Sequence, residues 1–257
     1  RMTLLGRKVI PPLVIALIPL APVLIMRVLY FLFASRHEFH IGDPFEIYSG
    51  ICAVMHLQFV VPMMALMRGM TIFSEEKKER TITYLFLRPV PRSVLAAGKY
   101  TGSLLSLIVL LSFSLVSVFG ILGTFPNTDM ITGDFGVLLK DIAVLSLGLA
   151  AYAAVLMVVG TFFKHSLLIS IFLVFMWDSA AAYIPGFAHR LTLKFYVQCL
   201  FPHEGERDLV SDLLTAHTPV SPYNCVLILG LVILGSLALT TLILKTKEFA
   251  GEGQEND

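Results

Sequence analysis

Charge is scarce in this chain. Of its 257 residues only 14% are charged while 56% are hydrophobic, and the mean hydropathy is +0.82, a balance that excludes an ordinary water-soluble globule and points to lipid as the solvent. Nineteen Lys and Arg against eighteen Asp and Glu leave a formal charge of +1. There is no basic excess to hold nucleic acid and no acidic excess of the kind that keeps a chain disordered. The three cysteines, Cys52, Cys199 and Cys225, share no C-x-x-C or Cys/His ligand spacing, and three is an odd number for a disulfide framework. No G-x-x-x-x-G-K-[ST] loop is present: Gly98-Lys99 is followed by Tyr100, and position 93 is Ser. The chain therefore cannot cradle ATP by that route. The absence of H-E-x-x-H, and of any Ser/His/Asp or paired-carboxylate arrangement in the apolar runs, weighs against an intramembrane enzyme.

What the chain has in quantity is long apolar runs. A helix needs about 20 apolar residues to cross about 30 Å of hydrocarbon, and six runs reach that scale: about 10–33, 47–67, 94–123, 137–163, 167–184 and 226–244. The fold class expected is all-α, a polytopic membrane protein with six transmembrane helices forming a single transmembrane domain over 1–257. The first run is too long for a cleaved signal peptide, carries Arg27 and has no A-x-A-like cleavage site after it. The chain opens on Arg1 rather than Met, which is consistent with a preceding segment. Pro11, Pro12, Pro19 and Pro22 make this first span unusually kinkable, and Pro62 is expected to bend the second. Ser146, Ala150 and Ala154 recur at i+4 on the fourth span, a small-residue face suited to close helix packing within the chain or between subunits.

Orientation follows from the basic residues, which are retained on the cytoplasmic side. One set of connections carries Arg1, Arg7, Lys8, Arg68, Lys77, Lys78, Arg80, Arg88, Arg92, Lys99, Lys164, Lys245 and Lys247; the opposite set carries Arg36, Lys140, Arg190, Lys194 and Arg207. Thirteen against five predicts that both termini are cytoplasmic, in a multi-pass protein of the plasma (inner) membrane.

Two connections are long enough for structure of their own. In the cytoplasmic one, Ser74 can cap a helix whose first turns carry Glu75, Glu76 and Glu79, where the helix dipole favours negative charge. Glu76 and Arg80 are spaced as a favourable i, i+4 pair, and Ile82, Leu85 and Phe86 form an apolar stripe, so an amphipathic helix over about 74–88 is expected to lie along the membrane surface. Pro89 and Pro91 force a bend before the third span. In the outer connection, about 185–222, the residues from Phe187 to Cys199 fit both helical and alternating periods, whereas Leu209, Val210, Leu213 and Leu214 make a helical stripe bounded by Gly205 and Pro219. Two short outer helices are expected there.

The segment from Glu76 to Lys99, EKKERTITYLFLRPVPRSVLAAGK, resembles the signature of type-2 ABC transporter permeases, the membrane subunits of ATP-binding-cassette exporters. Their pattern runs E-x-x-E-x-T, a Leu, P-x-x-R and a G-K at the foot of the next span. Glu76, Glu79, Thr81, Leu85, Pro89, Arg92, Gly98 and Lys99 match it, while Arg80 stands where a Gly is common. The resemblance implies that the helix between the second and third spans couples to separate cytoplasmic ATP-binding-cassette ATPase subunits. Glu75, Glu76, Glu79, Arg80, Thr81, Leu85, Pro89, Arg92 and Lys99 would be the coupling residues. ATP and Mg would then belong to the partner and no cofactor to this chain, which would work beside a second permease copy or a homologous permease within the lipid bilayer.

Ionisable groups inside spans are costly and count as functional candidates. These are Arg27, His56 and Asp178, with Gln58 as a polar neighbour. Arg27 and Asp178 share a depth in the outer half of the membrane, so they fit an ion pair; Arg27 snorkelling to the head groups fits as well. His56 reads either as a hydrogen-bonded core histidine or as a proton carrier. An alternative function follows from these residues, an ion-driven secondary transporter that needs no ATPase, although no inverted repeat supports it. A third reading places a membrane enzyme at the outer face, where His37 and His40 have the spacing of two ligands near Asp43 and Glu46 but lack a third ligand at diagnostic spacing, so no metal site is assigned. No pattern singles out a cargo among lipid, peptide, drug, polysaccharide and metal-related substrates.

Overall fold

A computed structural model describes residues 2–33, 43–69, 92–125, 130–163, 166–177, 188–201 and 221–246. Among these every regular element is helical: α1 (Met2–Leu17), α2 (Leu20–Phe33), α3 (Pro44–Gly69), α4 (Arg92–Leu122), the short α5 (Met130–Gly133), α6 (Phe135–Phe162), α7 (Ser166–Trp177), a 3-10 turn over Ala188–Leu191, α8 (Leu193–Leu200) and α9 (Pro222–Thr246). Five segments are long and apolar enough to cross a bilayer: Ile10–Phe33, Pro44–Gly69, Ser93–Leu122, Phe135–Phe162 and Pro222–Leu244. They correspond to five of the six expected spans. The remaining one, 167–184, is described as the shorter apolar helix Ser166–Trp177, and its second half lies outside the described residues. The protein is an all-α, multi-pass membrane protein. Large apolar side chains such as Phe31, Leu105, Leu168 and Leu234 stand exposed on the outside of the bundle, as a lipid-facing surface requires.

The first span breaks where its prolines dictate. The helix runs through Pro11 and Pro12, but Pro19 has no N–H to give the Ile15 carbonyl. That carbonyl accepts instead from Ile18 N–H at 3.2 Å, and because Pro22 cannot serve the Ile18 carbonyl, Ala21 N–H does so at 3.1 Å. Two tight turns thus separate α1 from α2. The second span is continuous but changes register: Ile51–Val60 is wound as a π-helix, closed by the Val61 N–H on the His56 carbonyl, and Pro62, with no donor, follows at once. Asp43 caps the start of this span, its carboxylate accepting from Phe45 N–H at 3.1 Å.

α6 is the central helix, packed by α3, α4, α8 and α9. Its run of small residues explains why neighbours approach so closely. Ala150 and Ala154 are buried inside the chain, so this face is used for packing within the subunit, while Ser146 turns its hydroxyl back to the Ala143 carbonyl at 2.9 Å. Opposite, a Cβ at Gly69 of α3 would sit 3.0 Å from the Ala153 carbonyl oxygen and 3.0 Å from the Leu156 Cβ. Gly69→Leu is therefore expected to destabilise the bundle by about 1–3 kcal/mol, because the obstacle is backbone and cannot rotate away. Gly235→Leu on α9, which meets nothing within 4 Å, should leave the thermal midpoint in detergent near wild type; equal midpoints for the two variants would contradict the close approach.

In the connection expected on the outer side, the described residues 188–201 are helical where the periodicity allowed either. Thr192 caps α8, its hydroxyl oxygen accepting from Phe195 N–H at 3.3 Å, and Phe195 and Val197 turn inward. Val197 reaches α6 at Gly148, where a Cβ would lie 2.9 Å from it. The second outer helix expected near 209–214 lies outside the described residues.

Candidate functional site

Of the expected coupling residues, Glu75, Glu76, Glu79, Arg80, Thr81, Leu85 and Pro89 fall in 70–91, outside the described residues. What is described is the element they feed. α4 begins at Arg92, immediately after the two prolines, and continues unbroken for 31 residues. Lys99 is half-buried near its foot. One residue on, the Tyr100 hydroxyl donates to the Ala150 carbonyl at 2.8 Å and fastens the base of α4 to α6.

One face of α3 carries a buried stripe with polar groups in it. Tyr48, Cys52, His56 and Val60 recur every four residues, and all are fully buried. At one end of this stripe the Tyr48 hydroxyl, the Cys52 thiol and the Asp141 carboxyl of α6 face one another. The Tyr48 ring meets Phe119 of α4 edge-on, with centroids 5.3 Å apart. One residue therefore joins three spans.

Further along the stripe a second group joins three spans. His56 Nε2 lies 3.0 Å from Ser114 Oγ on α4, and the Ser114 hydroxyl donates to the Ala16 carbonyl of α1. A hydroxyl has one proton. Since that proton goes to Ala16, the bond to His56 must be donated by Nε2–H, which sets the imidazole tautomer. The Ala16 carbonyl is available because the break at Ile18–Pro19 interrupts the helical ladder just beyond it. Ser114→Ala removes both bonds at once and leaves a ring N–H and a carbonyl without partners. The expected cost is about 1–3 kcal/mol, read as a lower thermal midpoint in detergent; an unchanged midpoint would mean that the relay contributes nothing to packing.

The expected path residues are thus distributed differently from their sequence grouping. His56 faces inward and is engaged, whereas Gln58, two residues on, is exposed on the outside of α3, so the two do not line one surface. The Arg27 guanidinium sits 4.7 Å above the Phe125 ring, which Tyr30 also meets edge-on at 5.2 Å. Asp178, the expected partner of Arg27, lies outside the described residues, as do His37 and His40; Asp43 is occupied as a helix cap. Among the described residues no three His, Cys, Asp or Glu side chains are grouped to hold a metal ion.

Three residues of these buried polar groups escaped sequence reasoning: Tyr48 on α3, Ser114 on α4 and Asp141 on α6. The signal for Asp141 was present, since Lys140-Asp141 lies within the expected fourth span. Lys140 enters the sequence reading only in the count of basic residues, and Asp141 is missing from its ionisable candidates. Successive helical residues point about 100° apart, and here Lys140 is exposed while Asp141 is fully buried.

No curated protein and no solved structure matches this chain. A family model does, described as ABC-2 family transporter protein, and it extends over residues 5–178, from α1 through the connection that feeds α4 and on to the end of α7. With two thirds of its length matched and five of its expected spans described, the chain belongs to the ABC-2 transporter family, as a multi-pass permease.

Proposed function

We propose that this permease is the transmembrane subunit of an ATP-binding-cassette exporter, moved by a separate cytoplasmic ATPase that docks on the helix expected over 74–88. The observation that carries the reading is the match of Glu76, Glu79, Thr81, Leu85, Pro89, Arg92 and Lys99 to the type-2 permease signature, inside the region that the family covers. Members of this family generally pair with ATP-binding-cassette ATPases. ATP and Mg bind in that partner, and the functional unit contains two permeases, identical or homologous, in the plasma (inner) membrane with both termini in the cytoplasm.

The mechanism follows from stiffness. A push on the surface helix reaches the elbow at Pro89 to Pro91 and then the foot of α4, whose 31 residues act as one rod. Tyr100 on Ala150, Ser114 on Ala16 and the Tyr48 ring on Phe119 would pass displacement of that rod to α6, α1 and α3. The break at Pro19 gives the first span a point at which to yield. The chain itself is a non-enzymatic subunit.

Affinity purification of the full chain from its native membrane in mild detergent, with mass spectrometry of whatever accompanies it, tests the assignment. A stoichiometric ATPase bearing a Walker motif is the expected result. A permease that purifies alone, and whose transport follows a proton gradient rather than ATP, would overturn it.

A further inference from the structure

An odd number of cysteines argued against a disulfide framework, but the fold divides the three into one buried thiol and one pair. Cys52 is in the core, facing Tyr48 and Asp141. Cys199, in the last turn of α8, and Cys225, in the first turn of α9, lie within hydrogen-bonding reach of each other through their sulfurs, and the half-buried Tyr196, one turn before Cys199, neighbours both. α8 packs against α9. Both residues belong to the outer end of the bundle in the orientation proposed above. Thiols on that side meet an oxidising compartment, where disulfides form and persist.

We propose that Cys199 and Cys225 form a disulfide that fastens α8 to the outer end of the last span. This inference rests on the orientation adopted in the proposed function. Its chemistry needs an oxidant, and a disulfide-bearing thiol oxidase of the outer compartment supplies it. Cys199 is the half-exposed partner and Cys225 the fully buried one, so the order of events is set by access. The Cys199 thiolate attacks one sulfur of the oxidant disulfide, forming a mixed disulfide and expelling the first oxidant thiolate. The Cys225 thiolate then attacks the Cys199 sulfur and expels the second. Two protein thiols are oxidised, one oxidant disulfide is reduced to two thiols, and the two protons lost by the cysteines leave on those thiols. Because Val197 is already wedged against Gly148 of α6, the bond ties α8 into a fixed unit with α6 and α9 and closes the loop between residues 199 and 225.

The test reads the redox state of all three cysteines in the full chain, taken from native membranes with its partners. Denaturation in light N-ethylmaleimide, then reduction and heavy N-ethylmaleimide, is expected to put the light label on Cys52 and the heavy label on Cys199 and Cys225. Without reduction, a peptide pair joined through Cys199 and Cys225 should be found two hydrogens lighter than its parts, and reduction of the folded protein should lower its thermal midpoint by roughly 5–10 °C. Light label on all three overturns the proposal. A parallel sample of the purified, reduced chain incubated with glutathione disulfide then shows which premise failed. Closure there, with thiols in the native membrane, overturns the outer orientation along with the native bond. No closure in either sample overturns the juxtaposition of the two helices and leaves the transporter assignment intact.

Discussion

Replacing Glu76 and Glu79 together by lysine is expected to strip the ATPase from the permease, with at least a hundredfold loss of affinity and loss of transport-coupled ATP hydrolysis. Docking through a surface helix depends on complementary charge, and truncating one partner of a buried, hydrogen-bonded charge pair costs about 2–5 kcal/mol, each 1.4 kcal/mol being about tenfold. Reversal adds like-charge repulsion to that loss. The competing explanation is that the helix itself is weakened, since Glu76 and Arg80 are spaced as an i, i+4 pair. That pair is worth only about 0.3–0.5 kcal/mol, too little to release a partner. The double Gln variant separates the effects: it removes the helix pair without repulsion, and it should retain more ATPase than the double Lys variant. Co-purification of the ATPase at wild-type stoichiometry with the Lys variant would remove the coupling role from these residues.

The spans were legible in the sequence because membrane crossing depends on length and apolarity, and both are local properties of the chain. The runs near 10–33, 94–123, 137–163 and 226–244 differ only slightly in their ends from Ile10–Phe33, Ser93–Leu122, Phe135–Phe162 and Pro222–Leu244. The break in the first span was legible too, since a missing N–H at Pro19 is written in the residue type. Which way a residue faces inside a span was much harder to read. His56 and Gln58 look like neighbours in sequence, but within the π-helical stretch Ile51–Val60 one is buried and the other exposed. No composition rule announces that register. Partners were harder still: the aromatic ring under Arg27 comes from the turn after α4, and Cys199 meets Cys225 because α8 folds back on α9. Those contacts come from the tertiary arrangement of the helices, which the hydropathy of each helix by itself does not encode.

Asp141 carries the second large expectation, because charge inside a membrane bundle leaves little tolerance. Its side chain is fully buried and faces the Tyr48 hydroxyl and the Cys52 thiol. Asp141→Lys puts a longer, cationic group where these two groups are packed and offers it no carboxylate. An uncompensated buried charge costs about 3–5 kcal/mol, against a total stability that for most folded proteins is only about 5–15 kcal/mol. The variant should fail to accumulate as a monodisperse species in detergent. Asp141→Asn keeps the volume and an oxygen that can accept from Tyr48, so it should fold with a loss of about 1 kcal/mol. Lys140→Gln changes the adjacent residue, which is exposed, and should lie within about 0.5 kcal/mol of wild type. The ordering matters more than any single value: if Asp141→Lys elutes and melts like Lys140→Gln, then Asp141 does not face Tyr48, and α6 must be rotated relative to α3.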